Sequence, residues 1–171
     1  MGTAGAAAET RRQAATVLDL LARQAEQMER QIAAAERKQR ALVAGDPAAI
    51  EEALREESRE QERAEELERA RYEAQQALAR ACGDRPEAVT WEFVARLLPE
   101  RAAEARKLRD RVLRGIERLA ALNRENGALI RQGLAWTRYS LNLLAGAGGG
   151  VYERDGRLQV PAAGRALDRS L

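Results

Sequence analysis

The side chains that could do chemistry in this chain are mostly carboxylates and guanidinium groups. The sequence has 27 Asp and Glu, 29 Lys and Arg, one Cys and no His. Without His, the chain lacks the commonest general base and the commonest metal ligand, and Cys82 alone cannot form an internal disulfide or a cysteine-rich zinc site. The carboxylates are interleaved with Arg at spacings typical of helix surfaces. We therefore expect no catalytic centre, no metal and no cofactor, and predict that the protein is not an enzyme.

Charge and hydropathy exclude two further classes. The formal net charge of +2 gives no field that would hold nucleic acid. The most basic run, 101–118, is interrupted by acidic residues and contains no aromatic residue that could stack on bases. No run of apolar residues reaches the length of a membrane span or a signal peptide. We expect a cytoplasmic protein that binds no nucleic acid and does not insert into a membrane.

The most apolar long segment is 119–146, and its spacing places a broad stripe on one helical face. The stripe comprises Leu119, Leu122, Asn126, Leu129, Gly133 and Trp136, and is widened by Ile130, Leu134, Leu141 and Leu144. Asn123 and Asn126 interrupt its start. Two interpretations stay open: a polar layer that fixes the register of a helical bundle, or side-chain amides offered to a partner. The apolar stripe is likewise either core or docking surface.

A second candidate is Tyr152, which follows a glycine-rich stretch and lies in a polar tail. Asp155-Gly156 is a turn signal between two short apolar runs, but an isolated two-stranded hairpin is marginal in water. We expect 147–171 to be a flexible tail. Tyr152 is then either a loosely packed residue or the anchor of a short linear motif.

The elements that carry these residues are predicted to be long helices. A charged fraction of 33% with 4% aromatic residues is typical of amphipathic helices. Capping and breaking signals indicate helices at about 10–44, 47–82, 86–98 and 99–145. We predict an all-α fold, an elongated antiparallel bundle or coiled coil of three long helices and one short one, in a single domain over 1–146. Acidic residues in the second helix and basic residues in 101–118 favour packing of these two helices side by side.

Two short motifs in the C-terminal part resemble the FlgN family of bacterial flagellar export chaperones. The motifs are Leu122-Asn123-x-x-Asn126-Gly127 at the start of the apolar segment and Tyr152-x-x-Asp155-Gly156 in the tail. The resemblance implies a chaperone that binds the C-terminal helical region of hook–filament junction proteins, prevents their premature assembly and delivers them to the type III export gate.

The resemblance also implies roles for residues. The last long helix provides the subunit-binding surface, and the tail motif, Tyr152, Asp155 and Gly156, contacts the cytoplasmic domain of the membrane component of the export gate. The expected subunit-binding residues are Leu122, Asn123, Asn126, Leu129, Ile130, Gly133, Leu134, Trp136, Leu141 and Leu144. The alternative is a coiled-coil adaptor that self-associates through the last helix and has no role in export. A homodimer is compatible with either function.

Overall fold

The computed structural model describes residues 2–147, 151–152 and 158–159, and the side-chain environments of 5–145. Its elements are α1 (Gly2–Ala44), α2 (Pro47–Cys82), α3 (Trp91–Leu97), α4 (Ala102–Ala147), β1 (Val151–Tyr152) and β2 (Leu158–Gln159). Two single turns of 3-10 helix, Pro86–Ala88 and Pro99–Arg101, precede α3 and α4. The predicted all-α class is confirmed. The chain forms two compact units, Met1–Asn126 and Gly127–Leu171.

The turn between α1 and α2 follows from three consecutive residues. Gly45 adopts a left-handed conformation with φ of 64°, which ends α1. The carboxylate of Asp46 accepts hydrogen bonds from the backbone N–H groups of Ala48 and Ala49, and Pro47 occupies the first helical position. Gly83, with φ of 69°, ends α2 in the same way. The predicted bounds of this helix, 47–82, are confirmed.

Three predicted boundaries were wrong. α1 begins at Gly2 instead of about residue 10, because the alanine-rich start has high helix propensity. The expected helix over 86–98 is divided, since Val89 (φ −79°, ψ 79°) leaves the helical region and the Thr90 hydroxyl caps α3 by accepting from the Phe93 N–H. α4 starts at Ala102, after the turn at Pro99, and continues to Ala147.

In the first unit, α1 packs antiparallel to α2 and parallel to α4. On the α2 side, Gln24 donates to Glu68 and Arg37 pairs with Glu56, so the residue numbers run in opposite directions. On the α4 side, three ion pairs each join residues that are 82 positions apart in the chain: Asp19–Arg101 (2.8 Å), Glu29–Arg111 (2.7 Å) and Glu36–Arg118 (3.0 Å). A constant separation means that the two helices run in the same direction in one register.

The predicted charge pairing of α4 with α2 was therefore wrong. No ion pair joins α2 to α4 among the described residues, and several carboxylates of α2 have other partners: Glu56 and Glu57 pair with Arg37 and Lys38 of α1, and Glu68 pairs with Arg71 of its own helix. In α1, Asp19, Glu29 and Glu36 occur at intervals that match Arg101, in the turn before α4, and Arg111 and Arg118 of α4. Because each exposed pair is weak, charge composition alone could not show which helix would be the partner.

The apolar core of the first unit lies where α3 covers the other helices. It contains mostly small and medium side chains: Ala14, Val17, Leu18, Ala25, Leu78, Ala79, Val89, Val94, Leu98, Ala105 and Leu108. Towards the Gly45 turn, the contact between α1 and α2 also includes buried polar side chains. Gln27 and Glu60 are both buried, and the Gln27 amide donates to the backbone oxygen and the carboxylate of Glu60. The satisfied polar groups allow burial without a thick apolar core.

The second unit contains 127–147 of α4 and the paired strands. β1 and β2 are antiparallel, with Val151 opposite Gln159 and Tyr152 opposite Leu158. The turn predicted at Asp155-Gly156 lies outside the described residues. Most of the predicted flexible tail, 147–171, also lies outside them. The sequence predicted a flexible tail without regular strands. Within the described part, 151–152 and 158–159 instead form a pair of strands.

Candidate partner-binding surface

The C-terminal part of α4 exposes large apolar side chains over 130–144. Each of seven such residues is at least 41% exposed: Ile130, Leu134, Trp136, Tyr139, Leu141, Leu143 and Leu144. Trp136 and Leu144 are the most open, at 68% and 71%. Apolar patches of this extent on a protein surface commonly mark sites of interaction. We call these seven residues the α4 apolar surface.

The helical repeat divides these residues into two rows. Ile130, Leu134, Leu141 and Leu144 are spaced by three, four or seven positions, so they lie on one side of the helix. Trp136 and Leu143 are seven positions apart and form a second row, roughly 120° around the helix from the first at 3.6 residues per turn. The rings of Trp136 and Tyr139 lie with centroids 5.8 Å apart and planes tilted by 35°, which extends the apolar area around the helix.

The charge of this segment has one sign. Arg131 and Arg138 are exposed, and no Asp or Glu occurs between Asn126 and Ala147. The Thr137 hydroxyl donates a hydrogen bond to the backbone oxygen of Gly133 at 2.9 Å, and so adds little polarity to the surface. The row of Ile130, Leu134, Leu141 and Leu144 therefore has two positive charges beside it, which matches a partner that is apolar on one side and acidic next to it.

The two asparagines of the first motif have different environments. Asn126 is fully buried, and its amide nitrogen donates to the backbone oxygen of Ala35 in α1 at 3.0 Å. Its Oδ1 has no hydrogen-bond donor among the described residues. Asn123, three positions earlier, is exposed. The position of Asn126 agrees with the interpretation of a polar group that sets the register between two helices.

The other predicted subunit-binding residues also divide into buried and exposed positions. Leu122 is fully buried, and both it and Asn126 are occupied by packing in the first unit, so we leave them out of the proposed surface. Leu129 is half-buried, whereas Gly133 is exposed with no heavy atom near the position of a Cβ. Ile130, Leu134, Trp136, Leu141 and Leu144 all belong to the α4 apolar surface.

Tyr139 and Leu143 belong to this surface but were not among the predicted site residues. Both are 55% exposed. Their signal was present in the sequence, because each continues an apolar row around the helix. The prediction followed the stripe that begins at Leu119 and its widening by Ile130, Leu134, Leu141 and Leu144, and so treated the helix as having one contact face.

The tail motif is described only in part. Tyr152 lies in β1, and its backbone is paired with that of Leu158. Asp155 and Gly156 lie outside the described residues. The structure thus places the backbone of the first motif residue in a strand and does not test the role expected for the three residues.

The described residues contain no group of three or more His, Cys, Asp or Glu side chains that could hold a metal ion. None of the helices in the described part of the chain combines the length and the hydropathy needed to cross a bilayer.

The chain matches a known protein family. A family model described as FlgN protein matches residues 13–159. The match begins in α1, covers α2, α3 and α4, and ends at the last residue of β2, so it includes both C-terminal motifs. No curated protein and no solved structure matches the chain.

Proposed function

The chain belongs to the FlgN family of flagellar export chaperones, and from this membership we propose that it binds hook–filament junction proteins before their export. It holds the C-terminal helical region of such a subunit on the α4 apolar surface. It acts by binding and not by catalysis, in the cytoplasm, where it keeps the subunit from assembling early and delivers it to the type III export gate.

The observation that carries this proposal is the exposure of the α4 apolar surface. Seven large apolar residues on one helix segment provide the contact area that an amphipathic helix of a partner needs. Such a helix has its own apolar face, and its assembly contacts are made with that face. A chaperone that covers the face therefore blocks premature polymerisation without any chemical step.

The charge of this segment indicates which kind of partner would bind the α4 apolar surface. Arg131 and Arg138 flank the apolar rows, and no carboxylate in the same segment neutralises them. A second copy of α4 would bring two further positive charges to the interface, which opposes self-association. A helix that carries acidic residues beside its apolar face is favoured over a second copy. We propose the C-terminal helix of a junction protein as that occupant.

Delivery is assigned to the tail motif. The family match extends through Tyr152, Asp155 and Gly156, and these residues retain the pattern that suggested the family. We propose that Tyr152 anchors the chaperone to the cytoplasmic domain of the membrane component of the export gate, with Asp155 and Gly156 shaping the turn beside it. An aromatic ring on a short motif provides a small, reversible contact, which suits handover.

The test compares two substitutions of the same kind on α4. Leu141→Asp places a carboxylate in the α4 apolar surface, and Leu113→Asp makes the same change at an exposed leucine of the first unit. We expect Leu141→Asp to weaken binding of a purified junction-protein C-terminal segment at least about 30-fold by calorimetry, as for loss of an interface hot spot. Leu113→Asp should bind as the unchanged chain does.

Equal affinities for all three chains would contradict the proposed surface. Light scattering on the chain alone measures its oligomeric state, which distinguishes the chaperone from the self-associating adaptor. A stable homo-oligomer that Leu141→Asp dissociates, with no complex formed with junction protein, would instead support a self-associating adaptor.

A further inference from the structure

A pocket of about 320 Å³ lies between α3 and the start of α4, in the first unit. Its floor is apolar and comes from Trp91, Ala95 and Ala102, and its rim carries Arg96, Arg106, Arg109 and Glu92. The volume is at the lower end of what binding pockets provide, so it accommodates one large side chain better than a cofactor. The indole of Trp91 is half-buried against the core, which holds it in place.

The rim has more positive than negative charge. Three guanidinium groups face one carboxylate, and the single ion pair among them, Arg109–Glu92, is long at 3.9 Å. Arg96 lies over the ring of Phe93 at 5.7 Å, and neither Arg96 nor Arg106 forms an ion pair with any residue that the structure describes. A hydrogen bond from its own backbone N–H and the nearby charge of Arg109 lower the pKa of Glu92, so this carboxylate stays ionised.

An aromatic floor under unpaired arginines indicates a specific ligand chemistry. Apolar side chains stack on indole, and guanidinium groups form charge-assisted hydrogen bonds with carboxylates. We propose that this pocket binds an acidic peptide segment of another protein, which places one large apolar side chain on Trp91 and carboxylates against Arg96 and Arg106. The pocket is thus a second docking site, independent of the α4 apolar surface.

The chain itself contains segments of similar chemistry, and the most exposed leucine among them is Leu54 in α2. Leu54 is 46% exposed and is surrounded by acidic residues. Three of the four nearest carboxylates already have partners, since Glu51 pairs with Arg55, Glu56 with Arg37 and Glu57 with Lys38. A second copy would have to break these pairs to satisfy the pocket, and a foreign peptide would not. The foreign peptide is therefore the favoured occupant.

The test uses the full chain and three fluorescently labelled heptapeptides, followed by anisotropy. The first has leucine at the centre of six alternating Asp and Glu residues. In the second, serine replaces the leucine, and in the third Asn and Gln replace the acids. We expect saturable binding of the first peptide alone. Arg106→Glu should weaken it about tenfold, whereas Arg114→Glu, the same change at an exposed position of α4 outside the pocket, should leave it within about twofold.

Three results would overturn the proposal. Equal weakening by Arg106→Glu and Arg114→Glu, or equal binding of the serine peptide, would show attraction by net charge instead of a pocket. Light scattering that shows a dimer of the chain abolished by Arg106→Glu would identify the occupant as a second copy. Circular dichroism of both variants establishes that each is folded, so loss of binding in a folded Arg106→Glu protein supports the pocket directly.

Discussion

Asn123 and Asn126 are three residues apart on one helix and have opposite environments. The Asn126 side chain is fully buried and reaches the backbone oxygen of Ala35, whereas Asn123 faces solvent. One half of the Asn126 amide is satisfied and its Oδ1 is not, which makes it a costly group to bury. A buried polar group of this kind favours one register between helices over its neighbours, because a shift by a turn would leave its donor unsatisfied as well.

Asn126→Asp tests that role with almost no change of shape. The introduced carboxylate would be buried against a backbone oxygen with no donor, so we expect the free energy of unfolding to fall by about 3 kcal/mol near pH 7. Burial raises the pKa of the introduced carboxyl in the folded state above its unfolded value. The loss should therefore diminish as pH falls through the folded pKa, because the protonated group can donate to Ala35.

The matched control is Asn123→Asp, the same change at an exposed position, which should alter stability by less than about 0.5 kcal/mol. Urea unfolding at several pH values measures both variants. Similar losses at the two positions, or a loss at Asn126 that does not depend on pH, would argue against a buried register-setting amide.

At the scale of elements, α1 and α4 approach closely because one residue has no side chain. A Cβ on Gly115 would lie 2.5 Å from the Cγ of Met28, so any larger residue displaces that side chain. The three ion pairs of constant separation lie on both sides of this point, at Arg101, Arg111 and Arg118. The ion pairs are exposed and weak, whereas the absence of a side chain at Gly115 permits the two helices to come this close.

Gly115→Leu should lower the free energy of unfolding by about 2 kcal/mol through overpacking, although leucine is the better helix former. Gly133→Leu on the same helix meets no atom within 4 Å and should not lower it. If the clash with Met28 is the cause, adding Met28→Ala should recover part of the loss, and a double-mutant cycle from denaturant unfolding measures the coupling. Independent, additive effects would rule that cause out.

At the scale of the whole molecule, the proposed contacts are distributed over different parts of the chain. The α4 apolar surface and Tyr152 belong to the second unit, and the Trp91 pocket belongs to the first. Subunit binding and gate docking use different residues in this proposal. A chaperone with separate sites can keep its cargo while it meets the export gate, and the combined contacts raise the effective affinity for the gate.

Tyr152→Ala should separate these activities. We expect it to leave the affinity for the junction-protein segment within about twofold, and to weaken binding to the cytoplasmic domain of the gate component at least about tenfold, the loss expected of an aromatic anchor. Surface immobilisation of the gate domain, with chaperone alone and chaperone–subunit complex as analytes, measures both. Tyr139→Ala is the converse control, since it should weaken subunit binding and spare the gate. A Tyr152→Ala chain that docks normally would remove the tail from the delivery step.

Local signals in the sequence were sufficient for the existence of the long helices, for both ends of α2 and for the apolar segment of α4. The Gly45-Asp46-Pro47 turn and the end of α2 at Gly83 were predictable because capping depends on groups within four residues of each other. The boundary at Thr90 was missed, although the cap was present, because the proline at 86 gave an equally good start signal. The two C-terminal motifs were likewise contiguous, and the family match agrees with them.

Pairing between distant residues required the tertiary structure. Many acidic residues could have faced the arginines of α4, and each exposed pair is worth too little to select among them. The close approach at Gly115 and the burial of Asn126 select α1, and that choice also decides that Leu122 is covered while Leu134 and Leu141 stay exposed. The Trp91 pocket has the same origin, because Arg106 and Arg109 reach it only when the chain turns at Pro99 and brings α4 back beside α3. Helix formation is a local property of the chain, whereas burial depends on which helices meet.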